Sequence, residues 1–284
     1  MEWIEKYFHV KKEKMDRAEK FVHGRGAWMA FFAFIPILGS AISIVLGMMR
    51  ANIWIVILAM TIGKVLRYAL LVWGVLEQTA DSSYTLYVPE LDEHYHSVKG
   101  ALTESQHIFI EMGLKHSPVA EPRILEIGLG TGLNAFLTLL TAEEIRKKVY
   151  YTGIERYPLS EDTVHKLNYP GLIGKGHEDD YYAIHRAGWE TDEVLSPWFT
   201  LHKIEGDFTR LFHSEEARQT SLSGYDIIYF DAFAPEKQPE MWEQSLFNSL
   251  YEILNKGGIL TTYCAKGIVR RMLQAAGFTV ERLP

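Results

Sequence analysis

Cysteine is almost missing from this 284-residue chain: Cys264 stands alone. That excludes an internal disulfide framework and leaves no set of thiolates for a metal site, and it favours a reducing compartment. Charge is missing in one place. Residues 27–49, AWMAFFAFIPILGSAISIVLGMM, carry none over 23 positions, long enough to cross a hydrocarbon core at helical rise. A small-residue cleavage site is also lacking, so a signal peptide does not fit. The charge that is present divides unevenly. Residues 1–80 hold ten Lys/Arg and six Asp/Glu, a net of +4, and the 19 and 30 that remain of 29 and 36 give residues 81–284 a net of −11. Such asymmetry predicts two units, 1–80 and 81–284, that meet different surroundings.

The first unit reads as a helical transmembrane segment with spans at about 27–49 and 53–76. The second span, IWIVILAMTIGKVLRYALLVWGVL, is interrupted by Lys64 and Arg67. These two share a helical face, where they either line a polar cavity or snorkel to the interface. Pro36 and Gly39 predict a broken or re-entrant first helix. Seven basic residues between Lys6 and Arg25 predict an amphipathic helix on the cytoplasmic side. Two crossings return the chain to that side. The expected location is therefore the inner (cytoplasmic) membrane, with the lipid bilayer as a partner of residues 27–76 and the second unit in the cytoplasm.

From Pro122 onward, apolar strands alternate with helical stretches, the pattern of a parallel α/β sheet. Strand Arg123–Ile127 runs into Gly128-Leu-Gly130-Thr-Gly132 and then a helix near Leu133–Thr141. A dinucleotide-binding loop needs a third glycine where Leu133 stands, and a P-loop needs a Gly-Lys-Ser/Thr that is absent. What remains is an acid followed by G-x-G-x-G: Glu126, Gly128, Gly130 and Gly132. Strand Val149–Ile154 ends in Glu155, which accepts ribose hydroxyls or serves as an ordinary helix-capping glutamate. Strand Phe199–Ile204 precedes Asp207, a partner for an adenine amino group or a turn cap. Strand Tyr225–Phe230 delivers Asp231 to the carboxyl edge of the sheet, where ligands bind. A helix Trp242–Leu254 and a fifth strand Gly258–Tyr263 follow. His94-x-His96 hints at a metal pair, but no further ligand signature accompanies it, so a polar lid is expected and no metal.

Two resemblances attach to these residues. The run FIPILGS at 34–40, the pair Gly47 and Arg50, and GKVLRY at 63–68 make residues 5–75 resemble the second half of the DedA-like (SNARE-associated, YqaA-like) membrane family, whose preceding membrane half is missing here. The stretches DAFAPEKQPEMW at 231–242, LFNSLYEILNKGGILTTYCAKGIVRRMLQAAGF after it, and YTLYVPELDEHYHSVKGALTESQHIFIEMGL at 84–114 make residues 81–284 resemble the MnmC/MnmD family. That likeness implies a class I (Rossmann-like) methyltransferase sheet with S-adenosyl-L-methionine as cofactor. It also implies tRNA as partner, with N-methylation of the aminomethyl group on the wobble uridine as the reaction. By the same likeness Tyr95, His96 and Ser97 sit near the cofactor. Longer family members append a flavin-dependent oxidase that prepares the amine. No second glycine fingerprint occurs here, so a separate oxidase is the expected partner.

In the mechanism these residues suggest, Asp231 is the catalytic group that orients the substrate amine or receives its proton, or else it holds the cofactor's own amino group. Phe233 and Pro235 form an apolar wall beside the base. The chain stops at GFTVERLP, where such sheets continue into an antiparallel return strand, so a C-terminally truncated domain is expected. An acidic second unit is unusual for a tRNA binder. Arg146-Lys147-Lys148 and Lys266-Arg270-Arg271 are the candidate basic patches, or ordinary solvated faces. Rival expectations are a DedA-type fragment joined to an inactive methyltransferase domain, two joined reading frames, and a small-molecule methyltransferase.

Overall fold

A computed structural model describes residues 54–62, 75–89, 91–174, 176–213 and 223–281. The chain divides into two units, Met1–Trp73 and Gly74–Pro284. Of the first unit only 54–62 is described, a helix on which Trp54, Ile57, Leu58 and Ile62 are exposed. The predicted span 27–49, the basic segment before it and the DedA-like motifs lie outside the described residues. Among the described residues no helix is long and apolar enough to cross a membrane. The end of the predicted second span needs correction: Val75 and Leu76 open a β-strand. Their backbones pair with Tyr87 and Leu86, so their hydrogen-bonding groups are satisfied across strands and not along a helix.

The second unit begins with a small antiparallel sheet, β1 (Val75–Gln78), β2 (Tyr84–Val88) and β3 (Glu93–His94), in that order. Asp81, in the turn between β1 and β2, accepts hydrogen bonds from Thr79 Oγ1 at 2.7 Å and from the Thr103 backbone N–H at 3.0 Å. Burial opposes its ionisation, but hydrogen bonds from Ser83, Thr79 and Thr103 hold it well below the usual carboxylate range. This anchor ties the sheet to the start of α1 (Ala101–Ser105), which runs on as a π-helical stretch, Gln106–Lys115. It thereby fixes the path of residues 94–98 toward the main sheet.

The main sheet has the order β6-β7-β5-β4-β8-β9. Its strands are β4 (Arg123–Ile127), β5 (Val149–Glu155), β6 (Asp192–Ser196), β7 (Phe199–Glu205), β8 (Tyr225–Phe230) and β9 (Leu254–Thr261). All neighbours are parallel except β6 and β7. The near-continuous apolar runs of β4 and β8 follow from this, because a central parallel strand is covered on both faces. Alternation along each strand sorts side chains between two cores. Ile124, Tyr151, Leu201, Ile227 and Tyr229 join one cluster, and Leu125, Ile154, Ile228 and Phe230 join the other. Helices α2 (Leu133–Ile145) and α3 (Glu178–Arg186) pack into the first core, and α5 (Gln244–Ile253) and α6 (Gly267–Ala276) into the second. Between them a short α4 (Phe208–His213) follows β7.

Strand β9 starts earlier than the pattern predicts, at Leu254, with a register shift against β8 between Tyr225 and Ile227. Strand β6 is absent from the sequence reading because its residues, DEVLS, do not alternate and its exposed edge position asks for no apolar face. The described sheet ends at β9. Order reverses between β4 and β8: the chain moves outward through β5 and β7, then returns to β8. Their shared carboxyl ends form the crevice where open α/β sheets bind ligands.

Candidate active site

The glycine loop leaves β4 and folds over the end of β5, where Gly128 and Leu129 both donate to the Ile154 carbonyl at 3.1 Å. Gly128 has φ +88°, and a Cβ there would lie 2.7 Å from the Asp231 carbonyl oxygen. Gly130 has φ +51°, and its Cβ would lie 2.9 Å from the Tyr95 ring. Glycine is therefore required twice, for conformation and for space. The Gly130 N–H donates to Glu155 Oε2 at 2.8 Å, and the Tyr157 N–H donates to Oε1 at 2.8 Å. These two bonds fix the Glu155 carboxylate between the ends of β4 and β5.

Behind the loop, the Thr131 carbonyl accepts from the Tyr181 hydroxyl at 2.8 Å and from His185 Nε2 at 3.2 Å. His96 Nε2 hydrogen-bonds with Thr131 Oγ1 at 2.8 Å. Burial lowers both His96 and His185 to about 4, so each is neutral at physiological pH. His94 turns elsewhere, to Glu77 at 2.9 Å, so the two histidines do not converge.

Across the crevice, the Asp231 N–H continues the β8–β4 ladder to the Ile127 carbonyl at 3.1 Å. Its Oδ2 accepts from Asn134 Nδ2 at 2.8 Å, and the same Asn134 nitrogen donates to Glu126 Oε1 at 2.9 Å. Burial and, less strongly, the charge of Glu104 push Asp231 up to about 7, against the pull of the Asn134 hydrogen bond. Two aromatic donors pin the loop that follows: Tyr263 Oη to the Ala232 carbonyl at 2.8 Å, and Trp242 Nε1 to the Phe233 carbonyl at 2.7 Å. The Phe233 ring meets Tyr95 edge-on with centroids 5.1 Å apart.

At the end of β7, Asp207 Oδ1 accepts from the Thr209 N–H at 3.0 Å and from its hydroxyl at 2.6 Å, while Oδ2 pairs with Arg156 at 2.9 Å. Burial would raise its pKa, but the Thr209 bonds and the Arg156 charge hold it below the ordinary value. The capping interaction is thus present at a residue that also borders the crevice.

One cavity of about 430 Å³ unites these features. Of the residues singled out by sequence, Tyr95, His96, Ser97, Gly128, Gly130, Glu155, Asp207, Asp231 and Phe233 line it. Glu126, Gly132 and Pro235 do not. Glu126 is fully buried beneath the loop, Gly132 packs toward His185, and Pro235 lies past the pinned part of its loop. Sequence reasoning missed Arg156, Tyr157, Met241 and Tyr263 in the lining, and Asn134 beneath it. Asn134 carried one available signal: it lies two residues into the helix after the glycines, a buried polar residue in an otherwise apolar run. The open glycine cradle and the backbone-held Glu155 fit an adenosyl cofactor with ribose hydroxyls to donate.

Comparison with known proteins bears on the same region. Residues 206–284 match the family model described as S-adenosyl-L-methionine-dependent methyltransferase. Similar curated proteins include one from Pseudomonas entomophila, the tRNA 5-methylaminomethyl-2-thiouridine biosynthesis bifunctional protein MnmC. It is 30% identical over an alignment of 208 residues that covers 69% of this chain and 31% of that protein. The protein of the same name from Pseudoalteromonas translucida is 30% identical over an alignment of 215 residues that covers 68% of this chain and 32% of its own. The chain thus spans about a third of the length of the curated relatives it matches. Among solved structures, MNMC2 from Aquifex aeolicus matches with TM-score 0.61 and 24% identity, over 72% of this chain and 65% of that one, a likeness of fold. The second unit is an α/β Rossmann-like S-adenosylmethionine-dependent methyltransferase domain related to MnmC, and S-adenosyl-L-methionine is its cofactor. The comparisons lend no support to the DedA-like resemblance of residues 5–75.

Proposed function

We propose that this methyltransferase domain N-methylates the aminomethyl group on the wobble uridine of tRNA, with Asp231 as the group that binds the amine and receives its proton. The observation that carries the reading is the position of Asp231. It stands at the carboxyl end of β8, in the same cavity as Glu155, with the Tyr95–Phe233 pair beside it. Glu155, with Gly128 and Gly130, would hold the cofactor through its ribose and its close approach to the loop. Asp207, already engaged by Thr209 and Arg156, borders the adenine end of that cavity. Bound S-adenosylmethionine supplies an electrophilic methyl group.

The chain's own residues must deliver a neutral amine. An aliphatic ammonium is mostly protonated near pH 7, and a carboxylate raised to about 7 sits where it is ionised enough to attract the cation and basic enough to accept its proton. The Asn134 hydrogen bond fixes which oxygen faces the cavity, and the aromatic pair excludes water from the amine. Flat apolar surface from Phe233 and Tyr95 also suits a splayed-out base. A small-molecule amine is a second reading, favoured by the acidic cavity rim of Glu93, Glu104 and Glu240.

The test uses the full chain. Binding of S-adenosylmethionine is measured by calorimetry, and methyl transfer is then measured into bulk tRNA that carries the unmethylated aminomethyl group. Binding with transfer supports the reading, and transfer only to small amines favours the second one. No binding sinks both. A wild-type rate for Asp231→Ala removes Asp231 from its role.

A further inference from the structure

We propose that Glu126, the acid that opens the glycine motif, is a positioning residue which acts through Asn134 to orient Asp231, and that it does not touch the cofactor. The inference rests on the methyl-transfer reading for its kinetic consequence and on geometry for everything else. Three side chains from three elements form one chain of contacts. Glu126 on β4, Asn134 on α2 and Asp231 after β8 are joined at 2.9 and 2.8 Å through a single amide nitrogen. Both hydrogens of that nitrogen are consumed, one by each carboxyl group. Asn134 is itself buried, and its amide is held in place by the two carboxyl groups that its nitrogen joins.

Glu126 has no route to the cavity. Its side chain is wholly buried and it does not line the space that Glu155 and Asp231 border. Its second oxygen, Oε2, lies against the buried Tyr151 hydroxyl, and the two have no other hydrogen-bond partner. An ionised carboxylate in that state would rest on neutral donors alone, an expensive arrangement. A neutral carboxylic acid accepts from Asn134 at Oε1 and presents its Oε2 hydrogen to the Tyr151 hydroxyl. Burial, reinforced by the negative charge of Asp231 and opposed by the hydrogen bonds of Tyr151 and Asn134, raises Glu126 well above the ordinary glutamate value and favours its neutral form. A neutral Glu126 accepts one Asn134 hydrogen without competing for the second. The second is then left for Asp231, and its direction is set by the first. No proton passes along the amide; Asn134 is a fixed donor.

The groups that face Asp231 from the elements around it are Glu104, Glu126, Tyr151, Tyr169 and Tyr263. Only Asn134 donates a hydrogen bond to its carboxylate among the described residues. Removing that donor should therefore raise the pH at which Asp231 ionises, and weaken its hold on the amine.

The experiment compares Glu126→Leu, Glu126→Gln, Asn134→Ser and Asn134→Ala in the full chain. At about pH 9, where Asp231 is ionised, infrared spectroscopy of the apo protein should show one protonated buried carboxyl band that vanishes in Glu126→Gln. This readout needs neither cofactor nor turnover, so it separates failure of the positioning role from failure of the methyltransferase reading. Glu126→Leu, which removes the acceptor that holds Asn134, should lower kcat and move the inflection as the Asn134 variants do, and Glu126→Gln, which restores a neutral acceptor, should recover both with S-adenosylmethionine affinity within about threefold. The Asn134 variants should keep cofactor affinity, lower kcat by about tenfold, and move the inflection of kcat/KM to higher pH. Serine, which can donate once, should fall less than alanine. The proposal is overturned by a loss of cofactor affinity of about tenfold or more in Glu126→Gln, by the lack of the infrared band, or by an unmoved inflection in Glu126→Leu or in both Asn134 variants.

Discussion

Asp207 and Asp231 occupy matching places on two rims of one crevice, each just past the carboxyl end of a parallel strand, yet their surroundings drive them apart. On the β7 rim Asp207 receives two hydrogen bonds from Thr209 and the charge of Arg156, which outweigh its burial and hold it ionised. On the β8 rim Asp231 receives one hydrogen bond and faces another acid, so burial wins and carries it to about 7. The difference teaches that position at a sheet edge makes a carboxylate available, whereas the number of donors decides its work. A well-supplied aspartate shapes a loop, and a poorly supplied one is left to exchange a proton.

Several substitutions would break or sharpen this contrast. The largest effect is expected at Asp231→Ala, which should slow methyl transfer by about 10²–10³-fold while S-adenosylmethionine affinity stays within about threefold. Single-turnover transfer and calorimetry together check it. Next comes Glu155→Ala, expected to weaken cofactor affinity by about tenfold to a hundredfold through loss of charge-assisted hydrogen bonds. An unchanged Kd would place the ribose elsewhere.

Acid should come third. Asp231 must be ionised to accept a proton, so kcat/KM should fall as pH drops through about 7, and that inflection should be missing in Asp231→Asn. Smallest are the stability changes, which should differ in sign. The folded pKa of Asp207 is depressed, so its contribution is present above the unfolded value near ~4 and is lost as pH falls further. Asp207→Ala should therefore lower Tm by about 2–4 °C at pH 7, through the lost cap, and by less in acid. The folded pKa of Asp231 is raised, so its contribution is complete below ~4 and is lost as pH rises through about 7. Asp231→Asn should raise Tm at pH 8, with the gain shrinking toward pH 4. Calorimetric scans across pH that gave one sign for both would erase the contrast.

Much of the frame was legible because covered parallel strands need apolar runs. Arg123–Ile127 and Tyr225–Phe230 stand where the pattern puts them. The edge strand β6 left no such trace, and β1 was concealed by Val75 and Leu76, which read as the end of a span. At the site, Glu155 and Asp231 announce themselves by following strands. Glu104, Arg156 and Asn134 matter only through partners far along the chain, such as Asp231, 97 positions beyond Asn134. Glu126 shows the limit in the other direction: its motif places it beside the loop, but the fold turns its side chain under the loop.

The glycine loop meets the β8 rim at Gly128, where the space for a side chain is already filled by the carbonyl of Asp231. Gly128 therefore works as a gauge for the crevice: with nothing between loop and acid, the span from cofactor to base is set by bare backbone. A methyl group there would act as a shim. It would push the loop away from the β8 rim, strain a backbone held at φ +88°, and lengthen the path between donor and acceptor without altering any group that performs the chemistry.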